Sequence, residues 1–398
     1  MLVARLELEE FRCFRRLTLD VPPFGFRLFG PNGSGKTSVI EALYLLATTK
    51  SFRSTADRHL IHRESAKELG LAPYARVSAR IETSAGTQSI EIVLSLDPAT
   101  TSVTKRYRRD GRAVRAMDFV GTLRVVLFSP EDIELITGSP SIRRRYLDIV
   151  LSTTDPAYLR ALANYARVLE QRNSLLKQLT TKDRRAIDQE LAFWDEQLVT
   201  YGAYLIVARL RFLAIWSRLS AAFFGELSSE SGTLATRYSS SVPLPDQVSA
   251  EIEQLAPTHA QAAVSVRYKE SLDRLRPDEL RRGTTLVGPH RDDLHWLLGD
   301  EPLVAIGSRG IHRLAVLAGK LAEVSTVSRM TGDWPVLLLD DVLSELDHRH
   351  RVRLLSTLAT FPAQRILTAA DRSVLDQPGL DHLPLACLEE EDRSLRFE

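Results

Sequence analysis

The segment from Gly30 to Thr37 has the residue types of a loop that binds phosphate groups. Its glycines allow backbone N–H groups to turn toward phosphate oxygens, and the N-terminus of a following helix adds positive partial charge. The order matches the pattern G-x-x-x-x-G-K-[ST], in which the lysine contacts the β- and γ-phosphates and the hydroxyl binds Mg²⁺. We therefore predict that the following residues bind ATP, with Thr37 as a magnesium ligand: Gly30, Pro31, Asn32, Gly33, Ser34, Gly35, Lys36, Thr37 and Ser38.

An apolar run toward the end of the chain leads into two carboxylates. Residues 337–339 are leucines, and Asp340 and Asp341 follow them. In a Walker B motif the first carboxylate holds Mg²⁺ and the second polarises the attacking water, so we assign catalysis to Asp341 together with Lys36. Alone, the same residues could form a strand followed by a helix cap. With the loop at 30–37 they predict ATP hydrolysis, with Asp340 as a second magnesium ligand.

Two further segments stand where ABC ATPases carry motifs of the dimer interface. The signature position holds Ser308, Arg309 and Gly310, directly before an apolar helix. The spacing of a D-loop after the Walker B carboxylates is met by Ser344, Glu345, Leu346 and Asp347. The first segment could also be an ordinary helix cap. The order of all four motifs predicts a head-to-tail dimer in which each nucleotide is held between two subunits, with the signature residues acting in trans.

The elements around these motifs are read from periodicity. A short apolar strand at 26–29 precedes the loop, and a helix with an apolar face follows it. Residues 74–128 read as antiparallel sheet, with a hairpin turn at Asp110 and Gly111, because Asp-Gly favours a two-residue turn. Mixed α/β patterns return from residue 283, with strands expected at 284–288, 294–298, 336–339 and 365–369.

The middle of the chain has heptad spacing of apolar residues instead. We predict two antiparallel helices separated by a polar break at 180–183, the second about 40 residues and roughly 60 Å long. This hairpin could be a bundle lobe or a projecting arm. The predicted domains are an ATPase head at 1–148 and 283–398, and a helical hairpin or arm domain at 149–282.

Composition limits the class of protein. Of 398 residues, 44% are hydrophobic and 26% charged, the balance of a soluble globular chain. No uninterrupted apolar run approaches the roughly 20 residues that span a bilayer, and no signal peptide is evident, so we expect a cytoplasmic protein without membrane association. The two cysteines, Cys13 and Cys387, form no C-x-x-C metal motif.

A net charge of +1 means that any nucleic-acid binding depends on local basic surface. The hairpin around Asp110 is the densest such region, and Arg115 lies just beyond it. We assign DNA-phosphate contact to Lys105, Arg106, Arg108, Arg109 and Arg112. Alternatively, these charges only protect an edge strand from pairing with other chains.

Six segments together resemble the RecF family of bacterial DNA replication and repair proteins: Phe11–Phe14, Lys50–Arg53, Phe128–Asp132, Arg143–Asp148, Gly288–Leu294 and Leu339–Asp347. The resemblance implies an α/β fold, a P-loop ABC-type (Rad50-like) ATPase head with an inserted α-helical domain. It also implies a monomer that dimerises with ATP on double-stranded DNA near gaps and single-strand junctions. Slow, DNA-stimulated hydrolysis would then serve as a release switch, with RecR and RecO as partners in loading RecA.

Three alternatives remain at this stage. The ATPase subunit of a transporter would need a switch histidine, whereas residues 368–370 are Thr-Ala-Ala. An SMC-like chromosome protein and an ATP-binding scaffold without turnover are the others. One departure from the resembling family is that Ile311 and His312 stand where a glutamine is expected after the signature glycine.

Overall fold

The computed structural model describes residues 1–65, 72–178, 184–228, 232–388 and 395–397, with only the backbone of 184–188. Its strands are β1 (Leu2–Phe11), β2 (Phe14–Asp20), β3 (Gly25–Phe29), β4 (Tyr74–Thr83), β5 (Gly86–Leu96), β6 (Val103–Arg109), β7 (Arg112–Val114), β8 (Val125–Phe128), β9 (Leu234–Ser239), β10 (Asp293–Leu298), β11 (Glu301–Pro302), β12 (Val336–Asp340), β13 (Arg365–Ala369), β14 (Leu385–Leu388) and β15 (Leu395–Phe397). Its helices are α1 (Lys36–Thr48), α2 (Ala116–Phe119), α3 (Glu134–Thr137), α4 (Pro140–Thr154), α5 (Pro156–Gln178), α6 (Arg184–Leu227), α7 (Asp246–Glu251), α8 (Pro257–Arg282), α9 (Leu303–Ile306), α10 (Arg309–Thr331), α11 (His348–Ala359) and α12 (Arg372–Leu375).

The chain folds into two units. The first unit comprises Met1–Asp132, Phe223–Glu230 and Val316–Glu398, and the second comprises Ile133–Ala222 and Ser231–Ala315. These bounds differ from the predicted division, which grouped 133–148 and 283–315 with the head. Strand pairing explains the difference, because β10 pairs with β9 along its whole length. An ion pair between Arg143 and Asp293 adds to it.

The first unit contains two sheets, and helix α1 lies between them. The antiparallel sheet has the order β2-β1-β4-β5-β6-β7, and the other sheet has the order β15-β14-β3-β13-β12-β8. In the second sheet β3, β13, β12 and β8 are parallel neighbours, as the continuous apolar runs predicted. Helix α1 touches strands of both sheets and is therefore buried on nearly every side, not on one face alone. This arrangement places the loop after β3 beside the end of β12.

The second unit contains the predicted antiparallel helices. Arg172 of α5 bonds Asp195 of α6, and Tyr158 bonds Arg209, so the two helices run in opposite directions. Helix α6 is 44 residues long, close to the predicted length, whereas the polar break at 180–183 lies outside the described residues. Helix α8 joins them through a buried ion pair between Glu279 and Arg172, which makes this region a bundle. The sequence did not predict the three-stranded sheet β11-β10-β9 in this unit.

One stretch of α6, Gln189–Leu227, is long and apolar enough to cross a membrane by length and composition alone. The expectation that no segment reaches this limit is therefore corrected. Over half of the apolar window, 56%, is buried inside the protein, as in a core helix. The stretch also contains Arg209, whose guanidinium is buried against Asp148. We therefore read it as a core helix of the bundle.

The predicted strand at 284–288 is wrong. Its backbone N–H groups bond to side chains rather than to a neighbouring strand: Thr285 N donates to Asn173, Leu286 N to Glu279 and Gly288 N to Ser241. Thr285 and Val287 are buried and alternate with half-buried Thr284 and Leu286, which is why the sequence pattern resembled a strand. Buried amides need a partner, and the side chains supply it. The neighbouring strand expected at 294–298 is confirmed as β10.

Candidate nucleotide-binding site

The loop between β3 and α1 has the backbone that phosphate binding requires. Gly33 and Gly35 lie in the left-handed region, with φ of 86° and 117°. A Cβ atom at Gly35 would lie 2.7 Å from the Sγ of Cys13 and 2.7 Å from the ring of Phe14, so a larger residue would not fit. The hydroxyl of Ser34 is buried within this loop and has no hydrogen-bond partner among the residues that the structure describes.

Lys36 lies against the inner side of the loop. Its ammonium donates to the carbonyls of Gly30, at 2.7 Å, and Pro31, at 2.9 Å. An ammonium has three N–H donors, so a third remains for a phosphate oxygen. Burial lowers the pKa of Lys36, while the nearby carboxylates of Asp341 and Asp340 oppose that shift.

Asp340 ends β12 beside the loop. Its Oδ1 accepts hydrogen bonds from the hydroxyls of Thr37, at 3.0 Å, and Thr368, at 2.8 Å. Burial raises the pKa of Asp340, and those two hydrogen bonds and the positive charge of Arg53 act against the rise. The strand order explains why these three side chains lie close together. Strand β13, which carries Thr368, lies between β3, which precedes the loop, and β12, which ends at Asp340.

Asp341 adopts the left-handed conformation, with φ of 53°. Its N–H lies 3.2 Å from both the carbonyl and the hydroxyl oxygen of Thr368, and its Oδ1 accepts from Ser344 at 2.5 Å. Non-glycine residues in this region are uncommon and cluster at functional sites. The backbone thus turns sharply after β12 and holds the carboxylate next to Lys36.

The predicted D-loop forms a tight turn followed by a helix. Ser344 and Glu345 are exposed, whereas Leu346 is buried. Asp347 caps α11 by accepting a hydrogen bond from His350 N at 2.9 Å. The turn that exposes Ser344 and Glu345 follows Asp341, the candidate catalytic residue, directly in the chain.

A cavity of about 1190 Å³ contains these groups, and it is large enough for a nucleotide. Lys36, Thr37, Asp340, Asp341 and Arg53 all line it. The hydroxyl of Thr37 and the carboxylate of Asp340 are oxygen ligands of the kind that Mg²⁺ prefers. The glycine-rich loop and the ammonium of Lys36 supply the N–H donors that the phosphates of a nucleoside triphosphate require. The residues present therefore fit both groups.

The signature residues lie in the second unit, while the loop and the Walker B carboxylates lie in the first. Ser308 caps α10, since its Oγ accepts from Ile311 N at 3.3 Å, and Arg309 and Gly310 form the exposed first turn. His312 is buried, with its Nε2 2.9 Å from the carbonyl oxygen of Leu303. The cap is present, and a role in trans stays a prediction.

The basic hairpin has the predicted turn, with positive φ at both Asp110 and Gly111. Its charges fall into two groups. Three are engaged within the first unit: Lys105 pairs with Asp57 at 2.7 Å, Arg108 with Glu91 at 3.2 Å, and Arg115 with Asp118 at 3.5 Å. The rest have no ion pair within the described part of the chain and are exposed: Arg106, Arg109 and Arg112.

The motif at 288–293 serves the fold of the second unit. Asp293 forms a bidentate pair with Arg143, at 2.7 and 2.9 Å. Asp292 accepts from Tyr238 at 2.5 Å and from the N–H of Ser241 at 2.7 Å. Among the described residues no cluster of three or more acidic, histidine or cysteine side chains could hold a metal ion.

Sequence reasoning missed three residues of the site. Thr368 was noted only for not being a histidine, and Arg53 and Glu41 were not assigned to ATP. Thr368 orients Asp340, Arg53 lines the cavity, and Glu41 lies buried behind it. The one available signal was Arg53 in the segment Lys50–Arg53, which carried part of the family resemblance.

Comparison with known proteins gives the family. Residues 2–383 match the family model described as the RecF/RecN/SMC N-terminal domain. The DNA replication and repair protein RecF of Thermomicrobium roseum is 62% identical over 385 residues, which cover 97% of each chain. RecF of Herpetosiphon aurantiacus is 42% identical over 93% of this chain and 94% of its own. This chain belongs to the RecF family.

Comparison with solved structures agrees with this family assignment. The recombination mediator protein RecF-ATP in the RecFOR pathway is 28% identical, with a TM-score of 0.83 over 100% of this chain and 97% of its own. An Smc head bound to the C-winged helix domain of ScpA is 14% identical with a TM-score of 0.52, which speaks for the fold alone. The predicted fold class and the role in DNA replication and repair are confirmed, and the chain is an ATP-binding ATPase of this family.

Proposed function

We propose that this protein is an ATP-driven switch on DNA, which dimerises on double-stranded DNA near gaps when ATP binds and is released by slow hydrolysis. The observation that carries the proposal is the convergence of Lys36, Thr37, Asp340 and Asp341 on one cavity. In this scheme Lys36 binds the β- and γ-phosphates, and Asp341 orients and polarises the attacking water. Thr37 and Asp340 would hold Mg²⁺, which would supply positive charge to the phosphate groups.

Slow turnover is part of the proposal. The ATPase subunit of a transporter needs a switch histidine at the end of the strand that corresponds to β13, whereas this chain has Thr368, Ala369 and Ala370 there. Thr368 already bonds Asp340, so its hydroxyl orients a carboxylate and is not a base. We expect DNA to stimulate the resulting low rate.

Dimerisation is supported by exposed residues at the two motifs that ABC ATPases carry at their dimer interface. Ser344 and Glu345 project at the D-loop, and the exposed helix start at Arg309 and Gly310 is capped by Ser308. A helix N-terminus attracts anions, so Ser308 of a second copy would face the γ-phosphate. We further propose that the first unit is the ATPase head and that the second unit carries the signature into the partner's site.

DNA contact is proposed at the three exposed arginines of the hairpin that form no ion pair with any described residue: Arg106, Arg109 and Arg112. Such contacts neutralise phosphates without reading bases, which suits a protein that recognises DNA structure. By analogy with the RecF structures of the RecFOR pathway, RecR, RecO and RecA are the proposed partners, and the cytoplasm the proposed location.

The experiment measures binding to a gapped duplex with and without ATP and Mg²⁺, together with the mass in solution. ATP-dependent doubling of mass with tighter DNA binding is expected. A chain that doubles in mass but binds no DNA would keep the ATP switch and refute DNA as its partner. A chain that stays monomeric with ATP would refute the switch itself.

A further inference from the structure

Glu41 is a fully buried carboxylate on α1, about one turn after Lys36 and Thr37. It accepts three hydrogen bonds: from Arg12 Nε at 2.7 Å, from Arg12 Nη2 at 2.6 Å and from Ser51 Oγ at 2.5 Å. A buried charge is costly unless it is paired and hydrogen-bonded. This carboxylate meets both conditions, so its position is strictly determined.

The first connection reaches the turn between β1 and β2. Arg12 has a positive φ of 55°, and its third nitrogen donates to the carbonyl of His59 at 2.8 Å. All three guanidinium nitrogens are therefore occupied within the protein. Arg12 thus acts as a clamp between α1, this turn and residue 59, although it also lines the nucleotide cavity.

The second connection reaches Arg53. Ser51 Oγ donates to Glu41 and accepts from the backbone N–H groups of Arg53, at 3.0 Å, and Ser54, at 2.8 Å. Arg53 lines the cavity and is close enough to Asp340 to favour its ionised form. The position of Arg53, whose side chain is exposed, therefore depends on two consecutive hydrogen bonds: one from its backbone N–H to Ser51 Oγ, and one from Ser51 Oγ to Glu41.

We propose that Glu41 is a positioning residue for ATP hydrolysis, which acts through Ser51 to hold Arg53 beside the phosphate groups. The proposal rests on the assignment of ATP to this cavity. Helix α1 then positions two parts of the cavity. It begins with the phosphate-binding Lys36, and it also carries Glu41, whose carboxylate positions the segment 51–54. Glu41 itself touches no substrate.

A double-mutant cycle distinguishes this role from a contribution to stability alone. The full chain is compared with Arg53→Ala, Ser51→Ala and the double variant, by phosphate release at saturating ATP with duplex DNA. Ser51→Ala removes the hydrogen bonds of Ser51 Oγ with Glu41, Arg53 and Ser54 but keeps the ion pair between Arg12 and Glu41, so the protein should fold. Each single variant should lower kcat by between about tenfold and a hundredfold, and the double variant no further.

Glu41→Gln extends the test, because its amide N–H₂ would face N–H or O–H donors on every side. In that background Arg53→Ala should have no further effect on kcat, whatever the change in unfolding temperature. The matched control is Glu253→Gln, which breaks a bidentate pair with Arg218, at 2.8 and 2.9 Å, on the exposed surface of the second unit. Its kcat should equal that of the parent chain.

Additive effects in either cycle would overturn the proposal, since they would mean that Glu41 and Ser51 do not act through Arg53. An unchanged kcat in Arg53→Ala would also overturn it. Lys36→Ala, measured alongside, distinguishes failure of this proposal from failure of the proposed ATP site. If Lys36→Ala loses hydrolysis, the assignment of ATP to this cavity stands even when Arg53→Ala has no effect.

Discussion

The hydroxyl of Thr37 donates a hydrogen bond of 3.0 Å to Oδ1 of Asp340, across 303 positions of sequence. Thr37 lies in the first turn of α1, which follows β3, and Asp340 ends β12. Strand β13 lies between β3 and β12, and its Thr368 bonds the same oxygen. Both proposed magnesium ligands are therefore oriented by the protein itself. Preorganisation of this kind reduces what nucleotide binding has to rearrange.

Lys36→Ala should abolish ATP-dependent dimerisation. Loss of the ammonium should weaken ATP binding by between about tenfold and a hundredfold, since hydrogen bonds to charged groups contribute about 1.5–3 kcal/mol. Titration with a fluorescent ATP analogue and measurement of mass in solution check both effects. Lys269→Ala, an exposed change on α8, is the control, and unchanged dimerisation in Lys36→Ala would refute the assigned site.

Asp341→Asn should trap an ATP-bound dimer. The amide keeps the size and the hydrogen bond from Ser344 but cannot polarise water as a carboxylate does, so turnover should fall by about a hundredfold or more. Phosphate release and the lifetime of the dimer after dilution measure this. Asp246→Asn on α7 should behave as the parent chain, whereas rapid turnover in Asp341→Asn would remove it from catalysis.

Changing Arg106, Arg109 and Arg112 to serine should weaken DNA binding and its dependence on salt. If each contacts one phosphate, the slope of log affinity against log salt should fall by up to about 3. Arg108→Ser with Arg115→Ser is a matched control in the same region, because Glu91 and Asp118 already pair with these side chains. Equal effects in both variants would mean that the hairpin acts through general charge alone.

The stability of the second unit should decrease in mild acid because of His290. Burial lowers the pKa of His290 to about 4, from an ordinary 6.5, and the ring bonds Tyr165 Oη at 2.7 Å. Between these values the unfolded chain binds the proton and the folded chain does not. The free energy of unfolding should therefore fall as pH drops from about 6.5 toward 4, by on the order of 3 kcal/mol.

Urea unfolding at pH 7.5 and at pH 5 tests this prediction. The loss between the two conditions should be smaller in His290→Gln, while the exposed His259→Gln should lose as much as the parent chain. The same loss in His290→Gln would assign the acid sensitivity to other groups.

The sequence by itself determined the nucleotide chemistry. Glycines at fixed spacing, a lysine, a hydroxyl and two consecutive carboxylates have few other uses in that order, and each motif is local in the chain. Periodicity likewise gave the long helices and the buried strands, because 3.5-residue and continuous apolar patterns follow from local geometry.

Only the tertiary structure decided which side chains act together. The strand order brought Thr368 between Thr37 and Asp340. Folding also buried Glu41 where its carboxylate accepts hydrogen bonds from both Arg12 and Ser51. It also gave some of the hairpin's basic side chains an ion-pair partner and left others without one in the described part of the chain. Segment 284–288 looked like a strand, yet side chains took its backbone hydrogen bonds. In each case the partner lies far away in sequence, and no local pattern reports the neighbour that satisfies a buried polar group.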